Sequence, residues 1–209
     1  NPLIVKGPRQ VGKTESIRRF AERHYETVIE INFVEEPQYK TIVADGYRTD
    51  AVIKNISLID PSKRLTPHKT LLFFDELQEF PDIATALKFF KQDGRFDVIC
   101  SGSMLGLSYR RIESNSVGYK SGYEMHSMDF EEYLWAIGYR SDTVEDLLAK
   151  LIRAESLSAV QMEVLASAFL DYCTLGGMPA VVASFVTRGT FEGTLAIQRQ
   201  LVQDYREDI

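Results

Sequence analysis

The sequence of 209 residues has few of the residue types that form metal centres and disulfide frameworks. It contains two cysteines and three histidines, and none of them shows metal-ligand spacing. We expect the cysteines to be buried thiols of a cytoplasmic protein, because both lie in apolar stretches. These few residues therefore predict no metal site of histidine and cysteine ligands. The residues concerned are Cys100, Cys173, His24, His68 and His126.

The sequence also lacks a long apolar run and an excess of positive charge. No stretch approaches the ~20 apolar residues that a membrane-spanning helix needs, and we expect no signal peptide before the first apolar segment. We therefore expect a cytoplasmic chain without a membrane partner. The net charge of −6 disfavours nucleic-acid binding by bulk charge, although a local basic patch stays possible. With 44% hydrophobic residues, the chain can bury one large core or two modest ones.

What the sequence does contain is a glycine-rich stretch, GPRQVGKT, at residues 7–14. It fits the pattern Gly-x-x-x-x-Gly-Lys-[Ser/Thr], whose backbone N–H groups cradle phosphates, whose lysine reaches the β- and γ-phosphates and whose hydroxyl ligates Mg²⁺. The alternative is a chance match in a turn. Context favours the nucleotide, because PLIV before it predicts a strand and TESIRRFAERH after it predicts a helix, whose N-terminus attracts anions.

We therefore expect an ATP-binding loop in which Thr14 also ligates Mg²⁺. The helix that follows should bury Ile17, Phe20 and Ala21 on one face. Only six residues precede the loop, and a phosphate-binding strand normally lies inside its sheet, so we expect the chain to be part of a longer protein. The loop residues expected to contact the nucleotide are Gly7, Pro8, Arg9, Gln10, Val11, Gly12, Lys13, Thr14 and Glu15.

A second candidate site lies in TLLFFDELQ, residues 70–78, which predicts a buried strand. Leu71–Phe74 are all apolar, as in a parallel strand covered on both faces, and ligands of open α/β sheets bind at the carboxyl ends of strands. There Asp75 could hold Mg²⁺ through a water, and Glu76 could orient or deprotonate the attacking water. The alternative is an acid that caps a helix, but pairing with the lysine loop favours catalysis.

Polar residues also end the next predicted strand, FDVICSGS at residues 96–103. Ser101 and Ser103 should emerge at the same edge as Asp75, where a hydroxyl could bond the γ-phosphate or the attacking water. The alternative is a Ser-Gly-Ser turn without a ligand, and both interpretations stay open. Periodicity further predicts a strand over 27–33 and helices over 50–60 and 82–95.

The second half predicts helices only, over 129–138, 142–154, 157–174, 179–187 and from 190 to the end. Asp129 and Glu132 resemble a capping box at the start of the first of these helices. An apolar stripe formed by Phe130, Tyr133, Leu134 and Ile137 follows, and Trp135 is expected in the core. We therefore divide the chain into an α/β core, residues 1–128, and a helical part, residues 129–209.

These segments, together with VICSGSMLG, MDFEEYLWAIG and LGGMPAVV, resemble the AAA+ superfamily. Within it they look like bacterial and archaeal AAA-domain ATPases that carry a C-terminal nuclease-like domain of unknown function. The resemblance covers nearly the whole chain. It implies an α/β P-loop NTPase fold, a parallel sheet sandwiched by helices and followed by an all-helical lid, with a linker to a further C-terminal domain as a partner.

The resemblance also implies roles for single residues. Lys13 and Thr14 would bind phosphate and Mg²⁺, Asp75 and Glu76 would be the Walker B pair, and Ser101 or Ser103 would be the sensor. Relatives often have Gly-Arg before DFEEYL, whereas here Tyr119 follows Gly118, so no arginine finger is located. An oligomer is compatible with the resemblance.

The segment LGGMPAVV, residues 175–182, admits two interpretations. Gly176 and Gly177 can end one helix and Pro179 can begin the next without any ligand. The segment also resembles the Gly-x-Pro motif of related signalling ATPases, which lays a proline ring on adenine. That resemblance implies that Met178 and Pro179 face the base.

Three functions fit these observations. The first is an ATPase or nucleotide-driven switch that couples Mg²⁺-dependent hydrolysis to movement of the lid or of a partner domain. The second is a P-loop kinase acting on a small acceptor, which would rarely use adjacent Asp75 and Glu76. The third is a nucleotide-binding module with negligible turnover. A protein or nucleic-acid partner is possible, but no residue pattern identifies one.

Overall fold

Residues 1–103 and 118–207 are described by a computed structural model of the chain. The chain divides into two compact units, Asn1–Met125 and His126–Ile209. Among the helices in these described residues, none combines the length and apolar character needed to cross a membrane. Residues 104–106 of the predicted sensor segment, 116–117 before Gly118, and 208–209 of the last predicted helix lie outside the described residues.

The first unit contains a five-stranded sheet in which every described pairing is parallel. The strand order is β2-β3-β4-β1-β5, so β1 has a neighbour on each side. Because the strands are parallel, their carboxyl ends lie at one edge of the sheet. The strands are β1 Leu3–Lys6, β2 Thr27–Asn32, β3 Thr70–Asp75, β4 Asp97–Gly102 and β5 Ser121–Glu124.

Helices connect β1 to β2, β2 to β3 and β3 to β4, as predicted. They are α1 Lys13–His24, α2 Thr49–Ile59 and α3 Ile83–Asp93. Two short 3₁₀ helices, Pro37–Thr41 and Leu77–Glu79, occupy segments in which no helix was predicted. The parallel sheet with its helices confirms the predicted α/β fold class.

Strand β3 lies at the centre of the packing, and all six of its residues are buried. Successive side chains of a strand point to opposite faces, and they enter different apolar clusters here. Leu72 and Phe74 pack in the cluster that contains residues of α2 and α3, whereas Leu71 and Phe73 pack in the cluster that contains Ile17 of α1. Helices therefore cover both faces of the sheet, which explains why this strand is continuously apolar.

Three details of the first unit differ from the sequence predictions. Strand β3 ends at Asp75 rather than at residue 78, because Glu76 adopts a left-handed backbone conformation. Phe20 is 45% exposed and packs against His24 and Tyr25 instead of lying in the core. Strand β5 was not predicted, since SGYE has neither an apolar run nor a buried residue.

The second unit contains helices in all the regions where they were predicted. They are α4 Phe130–Ala136, α5 Ser141–Ile152, α6 Ala159–Leu175, α7 Pro179–Arg188 and α8 Thr194–Glu207. The capping box at α4 is present in both directions, between the Asp129 and Glu132 side chains and the partner backbone N–H groups. The core of this unit includes the predicted stripe, with Tyr133 and Leu134 buried and Phe130 and Ile137 packed against them.

Two predicted core residues lie at the surface of this unit. Trp135 is 43% exposed, because it lies one residue beyond the buried pair Tyr133 and Leu134 on a short helix. Cys173 is also exposed, whereas Cys100 is fully buried in β4, as predicted. Burial raises the pKa of the Cys100 thiol, so this group stays protonated.

Candidate nucleotide-binding site

The glycine-rich loop connects β1 to α1, and its backbone explains its glycines. Gly12 immediately precedes the helix in a left-handed conformation, with φ 93°. Gly7 has φ 154°, and a Cβ on it would collide with the backbone carbonyl of Met125. Gln10 is left-handed as well, with φ 63°, which is uncommon outside glycine. The loop thus has the irregular backbone that a phosphate cradle requires.

Lys13, the first residue of α1, points its ammonium back into this loop. Its Nζ donates to the carbonyl of Gly7 at 3.0 Å and to that of Pro8 at 2.6 Å. Partial burial lowers the pKa of Lys13, while the nearby carboxylates of Glu76 and Asp75 act in the opposite direction. The cation is therefore held at the loop, where phosphate oxygens could replace the carbonyl acceptors.

Asp75 links this loop to the end of β3. The carboxylate is buried and accepts hydrogen bonds from Thr14 Oγ1, at 3.0 Å, and from the hydroxyl of Ser101. The backbone N–H of Glu76 donates to the same carboxylate at 3.0 Å. Thr14 and Asp75 are 61 positions apart in the chain, and this hydrogen bond joins them directly.

The sheet register accounts for this meeting. Phe74 lies opposite Cys100, so the next residues of β3 and β4 are Asp75 and Ser101. Ser101 in turn lies opposite Val5 of β1, two residues before the loop. The hydroxyl of Ser101 is fully buried and is used to hold Asp75, whereas Ser103 lies on the wall of the cavity described below.

Glu76 follows Asp75 with a left-handed backbone, φ 55° and ψ 48°. Its carboxylate accepts a hydrogen bond from the amide nitrogen of Gln78. The amide oxygen of Gln78 accepts from the backbone N–H of Ser103 at 3.2 Å. The sequence did not point to Gln78, because nothing in DELQ distinguishes a cavity-lining glutamine from a surface one.

A cavity of about 570 Å³ lies over the carboxyl ends of β2, β3 and β4 and over the start of α1. Most predicted loop residues line it, together with Asp75, Glu76 and Ser103; Gly7, Pro8, Val11 and Ser101 are not on its wall. The residues that line it are Arg9, Gln10, Gly12, Lys13, Thr14, Glu15, Arg18, Asn32, Val34, Glu35, Asp75, Glu76, Gln78, Glu79 and Ser103.

Two of the polar lining residues, Arg18 and Asn32, were also missed. Arg18 lies one helical turn after Thr14, and its guanidinium binds the Glu30 carboxylate through two bonds of 2.8 and 2.6 Å. Asn32 ends β2 opposite Asp75, and its side-chain oxygen accepts from the backbone N–H of Val34 at 2.9 Å. Two features of the sequence could have indicated these residues. Arg18 lies four positions after Thr14 on the same predicted helix, and Asn32 lies at the end of a predicted strand.

The donor set at Thr14 and Asp75 suits Mg²⁺. This ion prefers oxygen ligands and is usually held by one or two carboxylates together with waters and substrate phosphates. Within the described residues, no group of three or more His, Cys, Asp and Glu side chains could hold a metal ion by themselves. One carboxylate and one hydroxyl at the phosphate loop therefore fit an ion that enters with a nucleotide.

Met178 and Pro179 lie in the second unit, where the structure gives their segment a structural role. Pro179 is the first residue of α7, and Met178 packs partly buried against the core of this unit. The Gly177 carbonyl accepts from the Met128 N–H at 2.8 Å, and a Cβ on Gly177 would collide with the Met128 backbone. The contact of Met178 and Pro179 with adenine stays a prediction.

Comparison with known families agrees with this geometry. A family described as an AAA domain matches residues 1–134, more than half of the chain, and the chain therefore belongs to that family. No curated protein matches the sequence. Family membership confirms the AAA-type resemblance and indicates a nucleotide-binding ATPase, which favours hydrolysis over the kinase alternative. The C-terminal nuclease-like domain stays a prediction.

Proposed function

We propose that the chain binds ATP together with Mg²⁺ and hydrolyses the bond between its β- and γ-phosphates. The observation that carries the proposal is the hydrogen bond of 3.0 Å between Thr14 and Asp75. It joins the phosphate-loop helix to the acidic strand end, and both residues line the same cavity as Lys13. Separate structural roles for the loop and the acid would not require them to share a cavity.

The loop and the N-terminus of α1 would bind the phosphates. Backbone N–H groups at the start of a helix have no partner within the helix, and the helix dipole favours an anion there. The Lys13 ammonium would exchange its carbonyl acceptors for the β- and γ-phosphate oxygens, a charge-assisted contact that is stronger than the one it replaces. Its partial burial increases the strength of that interaction.

Thr14 and Asp75 would hold the Mg²⁺ ion. When bound, the ion neutralises the negative charge that develops on the phosphate oxygens during transfer. Ser101 and the backbone N–H of Glu76 would fix the orientation of the Asp75 carboxylate, since both donate to it. In this role Ser101 is a positioning residue, and Ser103 on the cavity wall is the better candidate for bonding the γ-phosphate or the attacking water.

Glu76 would act as the general base for the attacking water. It is the acid next to Asp75 in the chain, it lines the cavity, and its carboxylate accepts from Gln78. A left-handed conformation at a residue with a side chain costs free energy, and such residues occur frequently at active sites. The carboxylate can therefore serve the water rather than the metal.

The resemblance to AAA+ ATPases implies two further steps, transfer of the nucleotide state to the helical unit and coupling to a partner domain. Both stay predictions, as do an oligomer and the partner itself. The third alternative, nucleotide binding with negligible turnover, differs from the proposed function only in rate. The rate of phosphate release, and not the geometry of the site, therefore distinguishes this alternative from the proposed hydrolysis.

The proposed function is tested by measuring ATP binding and phosphate release on the same preparation. We expect Mg²⁺-dependent binding of labelled ATP and steady release of phosphate by the parental chain. Lys13→Ala should abolish binding, because it removes the cation that the loop holds against the phosphates. Lys54→Ala, on the exposed side of α2, is the matched control and should bind normally. Unchanged affinity in Lys13→Ala would refute the site, and binding without release would favour the low-turnover module.

A further inference from the structure

The Gln78 side chain is bonded at both ends of its carboxamide. The amide nitrogen donates to Oε2 of Glu76, and the amide oxygen accepts from the backbone N–H of Ser103. A backbone N–H can only donate, so it determines which end of the carboxamide faces Ser103. The NH₂ group must then face Glu76. The orientation of the amide thus follows from the chemistry of its partners.

The Glu76 side chain needs a hydrogen-bond partner to hold its carboxylate in one position. Its left-handed backbone places the side chain outside the regular pleat of β3, and a glutamate has three rotatable bonds that must be ordered. Among the described residues, Gln78 donates to Oε2 of this carboxylate. In the proposed role, Oε1 would accept a hydrogen bond from the attacking water.

The backbone of β4 leaves space for this amide. A Cβ added to Gly102 would lie 2.6 Å from the amide oxygen of Gln78, closer than a real Cβ approaches a neighbouring atom, so the amide would have to move. Gly102 does not have the left-handed backbone that would otherwise call for glycine. The other atoms near the added Cβ belong to Leu77 and lie at 3.4 and 3.5 Å, close to ordinary contact distances. The absence of a side chain at Gly102 therefore leaves the space that the Gln78 amide occupies.

From these contacts we propose that Gln78 is a positioning residue that holds the Glu76 carboxylate for attack by water. The amide ties this carboxylate to the end of β4 through Ser103, so that the base is fixed relative to the strand that also carries Ser101. The proposal rests on the proposed ATP hydrolysis and adds a third residue to the acidic pair. Gln78 acts through Glu76 and makes no contact with the nucleotide in this role.

Two substitutions of Gln78 separate positioning from simple support of the fold. Gln78→Glu keeps an oxygen that accepts from the Ser103 N–H but replaces the donor to Glu76 by a second carboxylate. Gln78→Met removes both bonds at nearly the same length. If Gln78 positions Glu76, both variants should lower kcat by about 10- to 100-fold, since small misplacements of a catalytic group cost this much. KM and the affinity for ATP should change little.

A third variant perturbs the amide without changing Gln78. Gly102→Ala places a methyl group 2.6 Å from the amide oxygen, so it should displace the carboxamide and lower kcat in the same way. Gln92→Glu, on an exposed position of α3, introduces the same charge as Gln78→Glu and is the matched control, which should keep the parental kcat. Thermal unfolding of each variant shows whether the fold is intact.

The results distinguish this inference from the proposed function. If Glu76→Gln is inactive but Gln78→Glu and Gly102→Ala turn over at the parental rate, the positioning role is wrong and the ATPase assignment stands. If Gln78→Met alone loses activity, the Ser103 contact is what matters, and the inference is overturned. If the parental chain releases no phosphate, both proposals fail together. If Glu76→Gln releases phosphate at the parental rate, Glu76 is not the base and the inference is overturned, while ATP hydrolysis itself stands.

Discussion

Replacement of Asp75 tests the core of the site, because this carboxylate serves two functions at once. It accepts three hydrogen bonds, from Thr14, from Ser101 and from the backbone N–H of Glu76. It also supplies the negative charge expected to hold Mg²⁺. Asp75→Ala removes both acceptor oxygens and the charge, whereas Asp75→Asn removes the charge and replaces one acceptor oxygen by an NH₂ group. The two variants should therefore differ strongly in stability and agree in metal binding.

The size of the stability effect follows from burial. Asp75→Ala leaves the fully buried Ser101 hydroxyl and the partly buried N–H of Glu76 without their acceptor. A buried donor without a partner costs about 1–3 kcal/mol, so we expect a loss of about 2–4 kcal/mol in the free energy of unfolding. The Thr14 hydroxyl borders the cavity and can bond water instead, so it adds little.

Asp75→Asn should lose less than about 1 kcal/mol. Its amide oxygen can face Ser101 and the N–H of Glu76, and its NH₂ group can face Thr14, whose hydroxyl can turn to accept a hydrogen bond. Without the negative charge, however, binding of ATP should become weaker and should respond less to Mg²⁺.

Unfolding should be followed in urea by far-UV circular dichroism. Fluorescence of the single tryptophan would report on the wrong unit, because Trp135 lies in the helical one. Asp45→Ala and Asp45→Asn, at an exposed position of the first unit, are matched controls for the loss of an acid. The reasoning is refuted if Asp75→Ala is as stable as the parental chain, or if Asp75→Asn loses as much stability as Asp75→Ala.

Three other outcomes are expected. Glu76→Gln should keep ATP bound but slow phosphate release by about 10²–10⁴-fold, the usual contribution of a general base; parental turnover would show that this acid is structural. Gly7→Ala should lower the thermal midpoint, because a backbone carbonyl occupies the space of the added methyl, whereas Gly122→Ala, where that space is open, should not; equal midpoints would contradict the close approach. Ser158→Ala should destabilise the helical unit by about 1 kcal/mol through loss of its capping box. Trp135 fluorescence can follow that change, and an unchanged unfolding curve would speak against the cap.

Sequence patterns correctly predicted the elements that are determined locally. The apolar run Leu71–Phe74 predicted a strand buried on both faces, and the glycine-lysine loop predicted the start of α1. The pair Asp129 and Glu132 predicted a capping box, because its hydrogen bonds join residues three positions apart. Such features depend on side-chain period and on neighbouring residues, both of which can be read from the sequence.

Exposure was predicted less well, because it depends on what packs against an element. Phe20 and Trp135 both lie near buried residues of amphipathic helices, and periodicity alone placed them in the core. Both helices are covered along a narrower stripe than the pattern suggested. Strand β5 was missed for a related reason: it forms by pairing with β1, although its own residues are exposed and include no apolar run.

The candidate site shows the same division between local and tertiary information. The sequence alone indicated Lys13, Thr14, Asp75 and Glu76 as candidates, because each belongs to a short motif whose chemistry requires that residue type, and their roles stay predictions. It could not separate Ser101 from Ser103, since residues two apart on a strand share one face. Only the register of β3 against β4 placed the Ser101 hydroxyl on Asp75.

Gln78 could not be recognised from its own segment. Its role depends on Glu76 two residues before it and on the Ser103 backbone 25 residues after it, which only the fold brings within hydrogen-bond distance. The sequence thus determined which groups are candidates for phosphate chemistry, because motif and period are local properties. The tertiary structure determined which of them meet, because contacts between strand ends depend on the strand order and register of the whole sheet.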